Sequence, residues 1–194
     1  MRPIGVLALQ GDWAAHATVL RELGAEVRSV RTATELADVR ALVIPGGESS
    51  AMLRLMEPED LARRIVERVR AGIAVLGTCA GVILLAEGVT PVQPSLGMLA
   101  VDVVRNAYGR QLNSTVAGID LTPDFGKPQH MEGVFIRAPR IVRRDAAVEV
   151  LGVWGEDPVL IRQGRILAAT FHPELTSDRR VHQHFLDIGE EANG

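Results

Sequence analysis

Short apolar runs punctuate the first half of the chain, and each is followed by a loop and an amphipathic or apolar segment. Ile4 to Leu9, Glu26 to Val30, Ala41 to Ile44 and Ile73 to Leu76 have the length and composition of buried strands. Between them the spacing turns helical. Trp13, Ala17, Leu20 and Leu23 fall on one face after Asp12, a residue that caps helices, and Gly24 marks the stop. Leu61, Ile65 and Val69 form a second apolar face, with Pro58 predicted to open that helix and Gly72 beyond its end. Val82 to Ala86 is apolar all round, as in a buried helix. Strands alternating with helices predict an α/β fold of three layers, a mostly parallel central sheet with helices on both faces.

The second half has another rhythm. Leu99 to Val104, Thr115 to Ile119, Val134 to Ile136, Val148 to Val153, Val159 to Ile161 and Ile166 to Phe171 read as short strands with few helices between them. Gln163-Gly164 reads as a hairpin turn. These strands are expected to add antiparallel pairs to the sheet or to build a small side sheet. A last helix is predicted over residues 178–191. Its His182 and His184 stand two apart, which turns them to different sides of a helix, and both read as surface residues. His16 and His130 have no evident partner in the sequence.

In open α/β sheets, functional loops gather at the carboxyl ends of the strands. Three loops of interest fall there: Gln10-Gly11-Asp12, Gly46 to Ser50, and Gly77-Thr78-Cys79-Ala80-Gly81. The last is a strand, a G-x-C-x-G turn and a helix, the pattern of a nucleophile elbow. It would hold the Cys79 side chain out at the strand end and at a helix N-terminus, where thiolate is favoured over thiol. A base and its orienter come near the end of the chain, in Phe171-His172-Pro173-Glu174. In extended chain, residues two apart point the same way, so His172 and Glu174 would face one site. A carboxylate beside an imidazole fixes its tautomer and stabilises the imidazolium. Together these residues point to a cysteine-nucleophile acyl transferase or hydrolase. Gly46-Gly47 and the N–H of Ala80 are the candidate oxyanion donors.

Composition narrows the picture. The 194 residues suit one domain with a sizeable core, aliphatic because aromatics are only 4%. A net charge of -3 argues against a nucleic-acid binder, which would show a basic stripe. No apolar run approaches the roughly 20 residues of a membrane span. Met1-Arg2-Pro3 leads into a strand and not a signal peptide, and the single cysteine fits a reducing cytoplasm. No metal motif or phosphate-binding glycine loop is present.

The triad pattern of Cys79, His172 and Glu174 resembles that of class I glutamine amidotransferases. The resemblance is closer to one branch, the glutaminase subunits of pyridoxal 5′-phosphate synthase. Leu9-Gln10-Gly11 with His16, Pro45 to Ser50, Arg105 to Gln111, Gly133 to Pro139 and Phe171 to Thr176 all look like that branch, in order and spacing, from residue 4 to about residue 185. Val82-Ile83-Leu84 follows the elbow where other branches place a polar pair. Ala15 departs from the acidic residue expected before His16, which bears on a surface contact and not on the chemistry.

The resemblance implies a flavodoxin-like amidotransferase fold, a single glutaminase domain over residues 1–194, and a triad that hydrolyses L-glutamine through a cysteine thioester. It implies glutamine contacts at Gly47, Glu48, Ser49, Arg105, Ile136 and Arg137, an oxyanion hole at Gly47 and Ala80, and no cofactor or metal. It also implies a partner: a barrel-shaped synthase subunit, in a hetero-oligomer, that receives the ammonia and completes the oxyanion hole. Two other readings remain open on the residues. One is a different amidotransferase branch or a γ-glutamyl hydrolase, and the other is a non-catalytic binding domain with an inert Cys79.

Overall fold

The computed structural model describes residues 2–107 and 114–190. The strands in chain order are β1 (Ile4–Leu7), β2 (Val27–Val30), β3 (Ala41–Ile44), β4 (Ala74–Thr78), β5 (Ala86–Thr90) and β6 (Leu99–Val104). They continue with β7 (Ser114–Leu121), β8 (His130–Ile136), β9 (Arg140–Arg144), β10 (Glu149–Trp154), β11 (Asp157–Gln163) and β12 (Ile166–Ala169). The helices are α1 (Trp13–Glu22), α2 (Ala33–Ala37), α3 (Ser49–Met56), α4 (Leu61–Arg70), α5 (Ala80–Leu85) and α6 (Arg180–Glu190).

Nine strands form the main sheet in the order β2-β1-β3-β4-β12-β11-β10-β7-β8. The first five run parallel, and every later pair is antiparallel. β1, β3, β4 and β12 are buried at every position, which their unbroken apolar runs require of strands covered on both faces. Successive residues feed opposite layers. Leu42 and Ile44 pack with Met52, Met56, Leu61 and Ile65 under α3 and α4. Ala41 and Val43 pack with Ala17, Leu20, Val181 and Phe185 under α1 and α6. This is the three-layer architecture expected. Phe185 is fully buried, so cutting it to alanine would cost about 3–5 kcal/mol.

Local signals account for most boundaries. Asp12 caps α1 by accepting the N–H of Ala15 at 3.3 Å. Thr32 and Glu35 form a reciprocal capping box that starts α2. Gln163 pairs with Ile166 across a two-residue turn, so the expected hairpin is present one residue further on. Pro58 sits in a short 3-10 turn, Glu57–Glu59, and the helix expected to open there begins at Leu61. α3 lies where the sequence suggested only a loop. The second half does build a side sheet, β5-β6-β9, in addition to extending the main one.

Two expectations about histidines are corrected. His182 is fully buried and His184 half-buried, because α6 turns Val181, His182, Phe185, Leu186 and Gly189 toward the sheet. His130, on β8, meets Asp120 at 3.2 Å. Tyr108 to Gln111, within the Arg105 to Gln111 stretch, and Glu191, at the predicted helix end, lie outside the described residues. Among the described residues no helix is long and apolar enough to cross a membrane.

Candidate active site

β4 and β12 are neighbours in the ladder, with Thr78 opposite Ala169. The Cys79 N–H continues that ladder and donates to the Ala169 carbonyl at 2.9 Å. Cys79 leaves β4 and His172 follows β12, so the two arrive side by side at the carboxyl ends of adjacent parallel strands. Cys79 has φ 46 and ψ -104, a conformation that L residues seldom adopt. The sharp turn is possible because Gly77 and Gly81 let strand and helix close on each other. A Cβ on Gly81 would stand 2.1 Å from the Ile44 carbonyl oxygen, and one on Gly77 would stand 2.6 Å from Leu85 Cδ1.

Cys79 Sγ lies 3.7 Å from the Ile136 carbonyl oxygen. His172 and the Cys79 side chain line one cleft on one side of the imidazole. On the other its Nδ1 lies 2.7 Å from Glu174 Oε1. The convergence of His172 and Glu174 does not come from extended chain, because Pro173–Leu175 is a 3-10 turn. His172 is fixed from below by its own N–H, which donates to the Val134 carbonyl at 2.8 Å. Burial alone would lower the imidazole pKa, but the hydrogen bonds and charges of Cys79 and Glu174 outweigh it and raise it to about 10. The imidazolium is therefore the favoured form at neutral pH.

These groups open onto a cleft of about 210 Å³. Gly47, Glu48, Ser49, Ala80, Arg105, Ile136 and Arg137 all line it, together with Cys79 and His172. Glu174 sits behind His172, its side chain only 1% exposed. Gly46 closes over the pair so tightly that a Cβ there would stand 2.5 Å from His172 Cε1.

The polar residues of the wall are bound to each other. Glu48 caps α3, accepting from the Ser50 hydroxyl at 2.5 Å and the Ala51 N–H at 2.8 Å. The Ser50 hydroxyl, then the Ala51 and Ser50 N–H groups and Arg105, hold its carboxyl below the usual carboxylate range. Arg105 donates to Glu48 at 3.0 Å and to Gln93 at 2.5 Å. Ser49 and Gln93 are within 3.2 Å of each other. Arg137 has no ion-pair partner among the described residues and holds φ 45 at the end of β8.

Sequence reasoning passed over two features of this neighbourhood. The Gln10 side chain accepts the Glu48 N–H at 2.6 Å and so ties the first loop to the second. Behind His172 and Glu174, His16 Nε2 lies 3.3 Å from Glu174 Oε2 and 3.1 Å from Thr78 Oγ1, and its Nδ1 lies 2.9 Å from His182 Nε2. Helical spacing carries the signal for both histidines: His16 is three after Trp13 and four before Leu20, and His182 is three and four before Phe185 and Leu186. Among the described residues no cluster of histidine, cysteine, aspartate and glutamate could hold a metal ion.

Residues 6–191 match the SNO glutamine amidotransferase family. The chain belongs to that family. It is a glutamine amidotransferase by family, and its architecture is the class I fold. It is 50% identical over 190 residues to the "Pyridoxal 5'-phosphate synthase subunit PdxT" of Solibacter usitatus, covering 96% of this chain and 98% of that protein. The Thermotoga maritima protein of the same name is 46% identical over 186 residues, covering 95% and 98%. A crystal structure of a glutamine amidotransferase, 44% identical, superposes with a TM-score of 0.89 over 96% of this chain and 98% of that one. The PurLQS structure from Thermotoga maritima, 18% identical, has a TM-score of 0.72 and shares the fold.

Proposed function

We propose that residues 1–194 form one glutaminase domain that hydrolyses L-glutamine and passes the ammonia to a synthase subunit building pyridoxal 5′-phosphate. The observation that carries this reading is the convergence of the Cys79 thiol with the His172–Glu174 pair at the floor of one cleft. The name shared by the relatives supports the pathway.

In the reaction, Cys79 Sγ forms a bond to the side-chain amide carbon of glutamine. His172 holds the proton that came from the thiol and gives it to the departing nitrogen as the C–N bond breaks. Ammonia and a glutamyl thioester result. Water then attacks the thioester with His172 as base, the S–C bond breaks, and glutamate leaves. Glu174 keeps the Nδ1–H of His172 aimed and stabilises the imidazolium. The N–H groups of Ala80 and Gly47 are assigned to the oxyanion. Arg137 is the cation left for the α-carboxylate of the substrate. Glu48, Ser49, Arg105 and Ile136 shape the rest of the pocket.

The Glu48 N–H is held by Gln10, which supports a site whose second loop waits on the barrel-shaped partner of the hetero-oligomer. Such an assembly would work in the cytoplasm. The test is glutamate release from L-glutamine by the chain alone and with the synthase subunit. A large rise on mixing, abolished in Cys79→Ala, is expected. Equal turnover in both would remove the dependence on the partner, and none in either would remove the glutaminase.

A further inference from the structure

Behind the triad lies a second line of buried polar groups, which take no part in the proposed reaction. His16 and His182 are both fully buried, one on α1 and the other on α6. They come from opposite ends of the chain and meet only under the end of β4. Histidine in such a place is costly unless each ring nitrogen has a defined task.

The contacts select one arrangement of protons. Glu174 spends Oε1 on His172; its buried Oε2 makes no hydrogen bond among the described residues, and His16 Nε2 stands 3.3 Å from it. A carboxylate repels a lone pair, so His16 Nε2 must carry the hydrogen. Neutral His16 then has a bare Nδ1, which must accept from His182 Nε2–H across 2.9 Å. That leaves His182 Nδ1 bare, and this atom is buried with no hydrogen-bond partner among the described residues. The reverse arrangement would leave a buried N–H without an acceptor and would turn a lone pair of His16 toward a carboxylate. It fails at both ends of the line. Burial and the neighbouring charges lower the pKa of both rings, which agrees with two neutral imidazoles. For His16 the neighbours after burial are His182 and His172, and for His182 the neighbour is Arg179.

We propose that His16 is a positioning residue for Glu174, with its tautomer set by His182. Its Nε2–H edge, 3.3 Å from Oε2, stabilises the charge on that oxygen without a hydrogen bond to it, so that Oε1 stays on the Nδ1–H of His172. The hydrogen bond of that Nε2–H goes to Thr78 Oγ1, at 3.1 Å, in the residue before Cys79. One ring therefore touches both the orienting carboxylate and the strand end that presents the thiol. The proposal rests on the triad reading above.

The experiment compares His16→Leu, His16→Gln, His182→Phe, His182→Gln and Glu174→Gln in the full chain, alone and mixed with the synthase subunit. Around metal sites, removing a group that orients a ligand costs about 10–100-fold, and a loss of that order is expected here. His16→Leu is expected to lower kcat for glutamine by at least tenfold with KM little changed. It is also expected to slow capture of Cys79 by a glutamine-like electrophile, and to lower the pH at which the His172 ring titrates in NMR spectra. A glutamine amide nitrogen can stand in for Nε2–H, so His16→Gln and His182→Gln are expected to recover most of the rate. A folded His16→Leu with wild-type kcat and an unmoved His172 titration overturns the proposal. Should His16→Leu not fold, His182→Phe decides the matter, because it removes only the donor to His16. There, unchanged kcat and His172 titration overturn the proposal in the same way. If Glu174→Gln keeps full activity, the triad reading falls and this proposal falls with it. If Glu174→Gln is inactive while the His16 and His182 variants are normal, only this proposal falls.

Discussion

Arg105 Nη2 donates to Glu48 Oε1 at 3.0 Å, so one of the two cations on the cleft wall is already paired. The other, Arg137, has no ion-pair partner among the described residues. The two arginines should therefore differ as substrate contacts. Arg137→Gln should raise KM for glutamine about tenfold or more, since a charge-assisted hydrogen bond contributes about 1.5–3 kcal/mol. Arg105→Gln should raise it less and should mainly loosen the Glu48 loop. Steady-state kinetics of the two variants make the comparison, and a larger effect at Arg105 would reverse the assignment.

His172 offers a test in pH. Its pKa is raised to about 10, against 6.5 for the free side chain. The folded protein therefore holds this proton more tightly than the unfolded chain. The stability it contributes is complete below about pH 6.5 and is lost as the pH rises through about 10. NMR should show His172 protonated at pH 8. In Glu174→Gln and Cys79→Ala its titration should move down toward the ordinary range.

The pair behind it has the opposite sign. Burial first, then Arg179, lowers the pKa of His182 to about 4, and His16 is lowered too. The unfolded chain takes up protons there before the folded one does. Stability should fall as the pH drops from about 6.5 toward 4. In His182→Phe that fall should be shallower, as measured by thermal unfolding across the range.

The elbow can be tested by backbone chemistry. Cys79 pays for its φ of 46 with about 1–3 kcal/mol of strain, which glycine would not feel. Cys79→Gly should therefore be the more stable of two inactive variants, ahead of Cys79→Ala by about 1 kcal/mol in denaturant melts. Gly81→Ala should destabilise by about 3 kcal/mol or more, because its Cβ would meet backbone and not a movable side chain.

Much of this was legible in the sequence wherever a physical constraint acts within a few residues. The unbroken runs at Ile4, Ala41 and Ile73 predict buried parallel strands. The glycines around Cys79 predict the elbow, and the structure turns there for the steric reason they suggest. β9 was not legible because Arg140–Arg144 is an exposed, arginine-rich strand with only Ile141 buried, so no alternation marks it. β5 was hidden by its glycine and glutamate. α3 was missed because Gly46 to Ser50 reads as loop, although Met52 and Met56, four apart, are both fully buried on it. The histidine line was missed for a different reason. A metal-pair rule asks only whether His182 and His184 face each other, whereas His182 faces a residue 166 positions away in the chain.

The adjacency of β4 and β12 has a consequence for how the molecule comes into being. The two strands are separated by most of the second half of the chain, so Cys79 emerges during synthesis well before the residues that arm it. Until the last strand slots between β4 and β11, the thiol has neither its imidazole nor the Ala169 carbonyl that fixes its backbone. A ribosome-bound chain stopped before Ile166 should thus react with a glutamine-like electrophile no faster than a free thiol does. With Cys79 as the proposed nucleophile, reactivity should arrive only with the final stretch of sequence and report completed folding.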